Sequence, residues 1–229
     1  MPKRYDKFYF VTREEKEESL KALRIEIKAN KSLPFRKGAN MMVFGDGNPD
    51  AEIFILGESP GYHEDRLGKP FVGQSGKAIE ILLKKIGLAR RDVYLSTIIR
   101  YRPPLNEKVL LFQMAEFQPY IDREIEIVKP KIIVTLGRPP MEKFVQGEKI
   151  SGIHGKPRSI IWHELELVVI PMFNPAAAIK TASVMRQLEQ DFLILKDEIS
   201  KLAVKRQEEL ERKRLEDEER RKPQQVGLF

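Results

Sequence analysis

Apolar residues along this chain follow two rhythms. Short runs rich in Ile, Val and Leu, at Glu52–Leu56, Val93–Ile99, Lys131–Leu136 and Glu166–Met172, carry little alternation, as strands covered on both faces of a parallel sheet do. Around them the apolar positions recur at helical spacing. Residues 11–29 begin a helix near Thr12 and place Leu20, Leu23, Ile25 and Ile27 partly on one face. Gly76–Ile86 is a second helix, ended by Gly87, and Leu110–Val128 reads as one long helix stopped by Pro130. Gly137–Val145 is short, and a last helix starting near Ser183 turns Leu188, Phe192, Leu195 and Ile199 inward. Asn30–Asp50, with Pro34 and a GDGNPD turn, and His154–Pro157 read as loops. Strand and helix in alternation predict an α/β fold: a three-layer α/β/α sandwich on a mostly parallel sheet of about four strands.

Chemistry gathers in the stretch Ile53–Lys77, IFILGESPGYHEDRLGKPFVGQSGK. Gly57 ends a strand, and Glu58, Ser59, Pro60 and Gly61 form a turn in which backbone can come close to a ligand. Acids follow at Glu64 and Asp65, then Phe71, then Ser75 and Gly76 opening a helix. Strand, glycine-rich turn and helix is the layout of sites at the carboxyl ends of α/β strands. An ordinary connecting loop, with Glu58 and Glu64 solvated and Phe71 in the core, is the competing reading. Two acids, an aromatic and several loop glycines within about twenty residues favour a site. Asn174-Pro-Ala-Ala177, after the last strand, is a second turn of the same kind.

Composition narrows the chemistry. The 229 residues contain no cysteine, which excludes disulfides, thiolate nucleophiles and cysteine-held metals. His63, His154 and His163 lack metal-ligand spacing. The net charge is +7, from 41 Lys and Arg against 34 Asp and Glu, and residues 205–222 contribute only +1 of it, with eight basic and seven acidic side chains. The excess on the remainder suits an anionic partner, nucleic acid first. No apolar run reaches the ~20 residues of a membrane span. The opening MPKRYDKFYF lacks the apolar core of a signal peptide, so a cytoplasmic monomer is expected.

GESPGYHED, GKPFVGQSG, DVYLSTIIRYRPP, KPKIIVTLG and NPAA, in that order, resemble the family 4 uracil-DNA glycosylases, the iron–sulfur type. The resemblance runs from about Asn30 past Ala177. It implies hydrolysis of the N-glycosidic bond of uracil in DNA, with the base drawn out of the stack into a tight pocket. On that resemblance Phe71 stacks on the flipped ring, and Glu58 orients or polarises the attacking water. Glu64 lines the 5 edge of the pyrimidine, and the backbone of Gly57, Ser59 and Gly61 binds its carbonyls. Two positions depart. The base-reading Asn of the family falls on Thr97, and its charge-stabilising His falls on Asn174, which can donate a hydrogen bond but cannot become a cation. Loss of one such donor costs ~3 kcal/mol of transition-state binding on the scale of oxyanion-hole deletions. The four cysteine ligands of the family fall on Asn30, Leu33, Tyr101 and Phe117. A variant without cluster, cofactor or metal is therefore expected, with Tyr101 and Phe117 stacked in the vacated space. For DNA, Ser75 and Gly76 are expected to take a phosphate on helix-start amides. Ile179, followed by Lys180, is the expected wedge, and Arg100 and Arg102 either touch phosphates or flank the former cluster site as exposed residues.

The tail closes the reading. KRQEELERKRLEDEERRK, at 205–222, has acid-before-base pairs at i,i+4 such as Glu208–Arg212 and Glu209–Lys213, enough to hold a solvated helix. The final five residues, Gln225 to Phe229 with Leu228, resemble the bacterial sliding-clamp-binding pentapeptide. The expected organisation is a glycosylase-like domain at 1–202, a charged tether at 203–222 and a clamp peptide at 223–229. Three functions stay open: uracil excision, excision of another deaminated base such as hypoxanthine, and catalytically weak binding of damaged DNA.

Overall fold

The computed structural model describes residues 12–105, 107 and 109–221. The C-terminal peptide with Gln225, Leu228 and Phe229 lies outside them.

Six strands form one sheet: β1 (Asp46–Gly47), β2 (Ile53–Gly57), β3 (Tyr94–Thr97), β4 (Ile132–Leu136), β5 (Arg158–Trp162) and β6 (Leu165–Met172), in the order β1-β3-β2-β4-β6-β5. The four expected strands are its parallel centre, β3-β2-β4-β6. Their register sets Gly57 beside Thr97 and Leu136 beside Met172, so the carboxyl ends finish in line. Two antiparallel edge strands complete the sheet. β5 escaped sequence reading because its burial alternates, with Ile161 81% exposed, and because its turn to β6 lacks the usual signature. That turn is His163–Glu164, both at positive φ (44° and 69°), a conformation hairpin turns normally assign to Asn and Gly. His163 stacks on Trp162 at 4.0 Å and reaches Glu126.

Helices cover both faces. β2 sends Phe54 and Leu56 to one side, against α1 (Arg13–Ala29) and α5 (Gln118–Val128). It sends Ile53 and Ile55 to the other, against α3 (Gln74–Lys85) and α9 (Ala182–Arg221). This is the three-layer sandwich that the hydrophobic pattern predicts. α1 starts with a capping box on Thr12 and Glu15 and buries Leu20, Leu23 and Ile27, while Ile25 points outward. The helix expected over Leu110–Val128 is two, α4 (Leu111–Ala115) and α5, divided at Phe117, because Pro119 has no amide to carry the helix through. A helix not foreseen, α2 (Tyr62–Leu67), sits inside the site loop and stops at Gly68, whose φ is 66°. Three short helices complete the set: α6 (Arg138–Glu142), α7 (Ile150–Ile153) and α8 (Pro175–Ala178). α9 continues unbroken into the charged tail, and among the described side chains Leu202 is its last that is not exposed. Among the described residues the tail pairs Arg214 with Glu211 and Glu218, not Glu208 with Arg212 or Glu209 with Lys213.

Arg100 is not an exposed flank. It is fully buried, paired with Glu124 and bonded through Nη1 to Ser96 Oγ at 2.6 Å. Glu124 also accepts from Tyr94 (2.9 Å) and Ser96 (2.7 Å), so the buried charges are compensated, and Phe44 lies 5.5 Å from the guanidinium. The positions aligned with cluster ligands lie next to this network. Leu33, Tyr101 and Phe117 are all buried in the core shared with Leu23 and Ile27. Asn30 donates to Tyr120 at 2.9 Å, and Tyr101 accepts from Arg36 at 2.8 Å. Tyr101 and Phe117 do not stack on each other; each packs into the apolar cluster separately. These side chains do not fit a cluster: they fill the space and offer no thiolate. Phe117→Ala is expected to cost about 3–5 kcal/mol by urea denaturation. Glu124→Ala is expected to cost a similar amount because it leaves a buried guanidinium unpaired. Glu26→Ala, at an exposed pair with Arg123, should cost under about 1 kcal/mol.

Candidate functional site

A cavity of about 260 Å³ opens at the carboxyl ends of the parallel strands. Gly57 ends β2, Thr97 ends β3, Leu136 ends β4, and Asn174 follows β6. Glu58, Ser59, Pro60, Gly61, Glu64, Phe71, Ser75 and Ala176 complete the wall. The volume lies below the ~300–1,000 Å³ usual for larger ligands and suits a single ring. A larger cavity, about 880 Å³, lies at the opposite end of the strands, between Glu52, Lys131, Glu166 and α9, away from the glycine-rich turn.

The wall is built by close packing. Phe71 has φ 52°, a strained value for a non-glycine residue, and three groups hold it there. Gly76 lies directly under its carbonyl: a β-carbon at Gly76 would stand 1.9 Å from Phe71 O. Arg90 donates to Phe71 O (2.9 Å) and Pro70 O (2.6 Å) and is itself held by Asp46 at 3.0 Å. Glu64 Oε1 accepts from the amides of Val72 (2.9 Å) and Gly73 (2.7 Å). The Phe71 ring can then lie across Gly57, where a β-carbon would come within 2.6 Å of Cζ. Glu64 is thus first a brace of the loop, and the bracing pair Arg90–Asp46 was missed in the sequence. A signal for it exists: Arg90 opens the 3₁₀ turn (Arg90–Asp92) immediately before the strand that carries Thr97.

Residues 44–194 match the sequence model of the Uracil DNA glycosylase superfamily. The chain belongs to that superfamily. It is 40% identical to the type-4 uracil-DNA glycosylase of Sulfurisphaera tokodaii, over 76% of this chain and 81% of that protein. It is 37% identical to the type-4 enzyme of Saccharolobus solfataricus (72% and 78% covered) and 33% identical to that of Thermotoga maritima (73% and 87%).

Within this superfamily member the departing residues have defined geometry. Thr97 is buried and its hydroxyl donates to Ile99 O at 2.8 Å, so a lone pair is what it offers the cavity. Asn174 caps α8: its Oδ1 accepts from Ala176 N at 2.9 Å, which leaves Nδ2 as a free donor. The Glu58 carboxyl makes no hydrogen bond among the described residues, and burial raises its pKa above the ordinary carboxylate value. α3 begins after Gly73 with no side-chain cap, so its first amides stay available beside Ser75, whereas Gly76 serves the packing described above. Ile179 (45% exposed) and Lys180 follow α8, outside the cavity. Arg102, also outside it, lies over the Tyr62 ring at 5.4 Å.

Because the folded chain raises the Glu58 pKa, it binds that proton more tightly than the unfolded chain does. Stability therefore falls as pH rises from the ordinary to the raised value. Glu58→Gln is expected to melt at a higher temperature than the parent at about pH 8, the gap closing below the ordinary carboxylate pKa. Equal melting at every pH would contradict the burial of this carboxyl.

Proposed function

We propose that the chain excises uracil from DNA by hydrolysis of the N-glycosidic bond. The observation that carries this reading is Thr97: with its proton committed to Ile99, it presents an acceptor to the ring. Uracil offers an N3–H to such a group, whereas cytosine offers a lone pair at N3 and is repelled. Phe71 stacks on the extruded base, Asn174 Nδ2 donates to its O2, and the turn at Gly57, Ser59 and Gly61 serves its carbonyls. Glu64, besides bracing the loop, lines the 5 edge. Glu58 polarises the attacking water beside the developing sugar cation. DNA reaches the site with a phosphate on the amides near Ser75, Ile179 as wedge and Lys180 and Arg102 alongside. The filled positions at Leu33, Tyr101 and Phe117 support catalysis without an iron–sulfur cluster or any other cofactor.

A second reading rests on the same two residues. Hypoxanthine also presents a ring N–H, and the short Thr97 leaves more room than an Asn, so a purine is the alternative substrate. Asn174, which cannot become a cation, also supports a weakly active damage-binding module.

Organisation follows: a monomeric, cytoplasmic glycosylase domain to about residue 202, a charged helix at 203–222 and a clamp-binding peptide at 223–229. The burial pattern of α9, which ends at Leu202, supports the first boundary.

Purified protein, assayed for iron by elemental analysis, should be iron-free and should release uracil from single-stranded or duplex oligonucleotides, with hypoxanthine and abasic strands as comparators. Phe71→Ala should lose this activity, and Thr97→Asn with Asn174→His should raise it by about two to three orders of magnitude, the scale of one charge-stabilising group at a developing oxyanion. Hypoxanthine release without uracil release would establish the second reading. For the tail, deletion of Leu228 and Phe229 should abolish micromolar binding to a bacterial sliding clamp, about −8 kcal/mol, and leave excision from short oligonucleotides intact. Retained binding would place the contact elsewhere.

A further inference from the structure

We propose that the face beside α2 is a seat for the DNA strand that leaves the base cavity, formed by Arg66, Arg102, Arg24, Lys28 and Arg36 around Tyr62 and Tyr101. It rests on the reading of the chain as a DNA enzyme. The seat begins one residue after the cavity turn. Tyr62, which follows Gly61, is 52% exposed and carries two guanidiniums, Arg66 at 5.6 Å and Arg102 at 5.4 Å. Arg66 Nη1 also donates to the Tyr62 hydroxyl at 3.1 Å. A guanidinium lying over an aromatic ring is held in place by its face while its N–H edge stays free for a phosphate.

The adjoining residue extends the seat. Tyr101 lines a cavity of about 390 Å³ together with Arg24, Lys28 and Arg36, and no acidic side chain lines it. Arg36 is fixed by the Tyr101 hydroxyl at 2.8 Å and by Lys28 O at 2.6 Å, so one cation of the group is preset. Arg24 and Lys28 stand one turn apart on α1, both exposed.

What sets this face apart is the fate of its acids. Several exposed arginines elsewhere are neutralised, as Arg13 is by Glu17, Arg123 by Glu26 and Arg138 by Glu142. Those without an ion pair among the described residues, such as Arg91 and Arg186, do not gather on one face around an aromatic ring. Here Arg24, Lys28, Arg36, Arg66 and Arg102 have no ion-pair partner among the described residues. The neighbouring acids are engaged away from them: Glu26 on Arg123, Asp65 on Asn40, and Glu64 on the amides of Val72 and Gly73. Five uncompensated cations thus stand around two tyrosines, one of them next in the chain to the turn of a base-sized cavity. They match a polyanion whose charges are regularly spaced, which is a nucleic-acid strand.

The test is fluorescence anisotropy with a uracil-free single-stranded oligonucleotide across a salt series, on the full chain. Its Arg24→Ala/Lys28→Ala/Arg66→Ala variant changes only exposed residues, none of them in the base cavity. Each lost phosphate contact should reduce the slope of log K against log salt by about 0.7, so the variant should lose about 2 in slope and bind roughly 10–100-fold more weakly at low salt. A Lys131→Ala/Lys205→Ala variant, at the opposite end of the strands, should keep the parent slope. Parent-like slope and affinity in the triple variant, with DNA binding by the parent intact, would overturn the seat alone. No DNA binding by the parent chain would overturn the proposed function together with it.

Discussion

The cavity depends on a contact in which nothing is attracted strongly: the carbonyl of Phe71 resting on Gly76. Any side chain at Gly76 would drive into backbone, at 1.9 Å from the Phe71 oxygen, where no rotamer change can relieve it. With that approach allowed, Phe71 can hold its left-handed φ, which costs roughly 1–2 kcal/mol and is repaid by the bonds from Arg90 and to Glu64. The ring then has one place to go, across the bare Cα of Gly57. Two glycines and one strained aromatic thus define a wall that is built without a base. Preorganisation of this kind spares a binding site the cost of ordering itself.

On the opposite face the sandwich is held by other means. Arg100, Glu124, Ser96 and Tyr94 form a buried polar network, and Phe117 and Leu33 pack beside Tyr101 in the adjoining apolar cluster. The strand that ends in Thr97 continues, residue by residue, into both. Thr97, the proposed reader of the base, and Arg100 and Tyr101, which anchor the polar network and the adjoining apolar cluster, are therefore parts of one short segment, Ser96–Arg102. The amides of Ile98 and Ile99 tie it to Gly57 O and Glu58 O at 3.0 Å each.

The parallel strands and covering helices were legible because burial on both faces leaves uninterrupted Ile, Val and Leu runs, a signal that survives without any knowledge of partners. The edge was not: β5 alternates, and its turn is made by His163 and Glu164, residues that carry no turn signature. The family resemblance, rather than local spacing, pointed to Glu58, Phe71, Thr97 and Asn174 together, and all four line one cavity. It did not disclose orientation. That Arg100 is buried is a consequence of Glu124, 24 residues away. That Thr97 donates to Ile99 and Glu64 grips the amides of Val72 and Gly73 follows from how the loop turns back on itself, which no residue pattern records. The break at Phe117 was readable in principle from Pro119.

From Leu202, its last contact with the apolar core among the described side chains, α9 runs on to Arg221, about 28 Å at 1.5 Å per residue. A flexible chain of the same length would spread about 24 Å from its root, on average, in every direction. The two distances are nearly equal, so length is not what the helix adds. A coil would let whatever follows Arg221 roam over the whole domain; a rod rooted in the packing of Leu188, Phe192 and Leu195 holds it to one compass point. The helix supplies bearing, not reach.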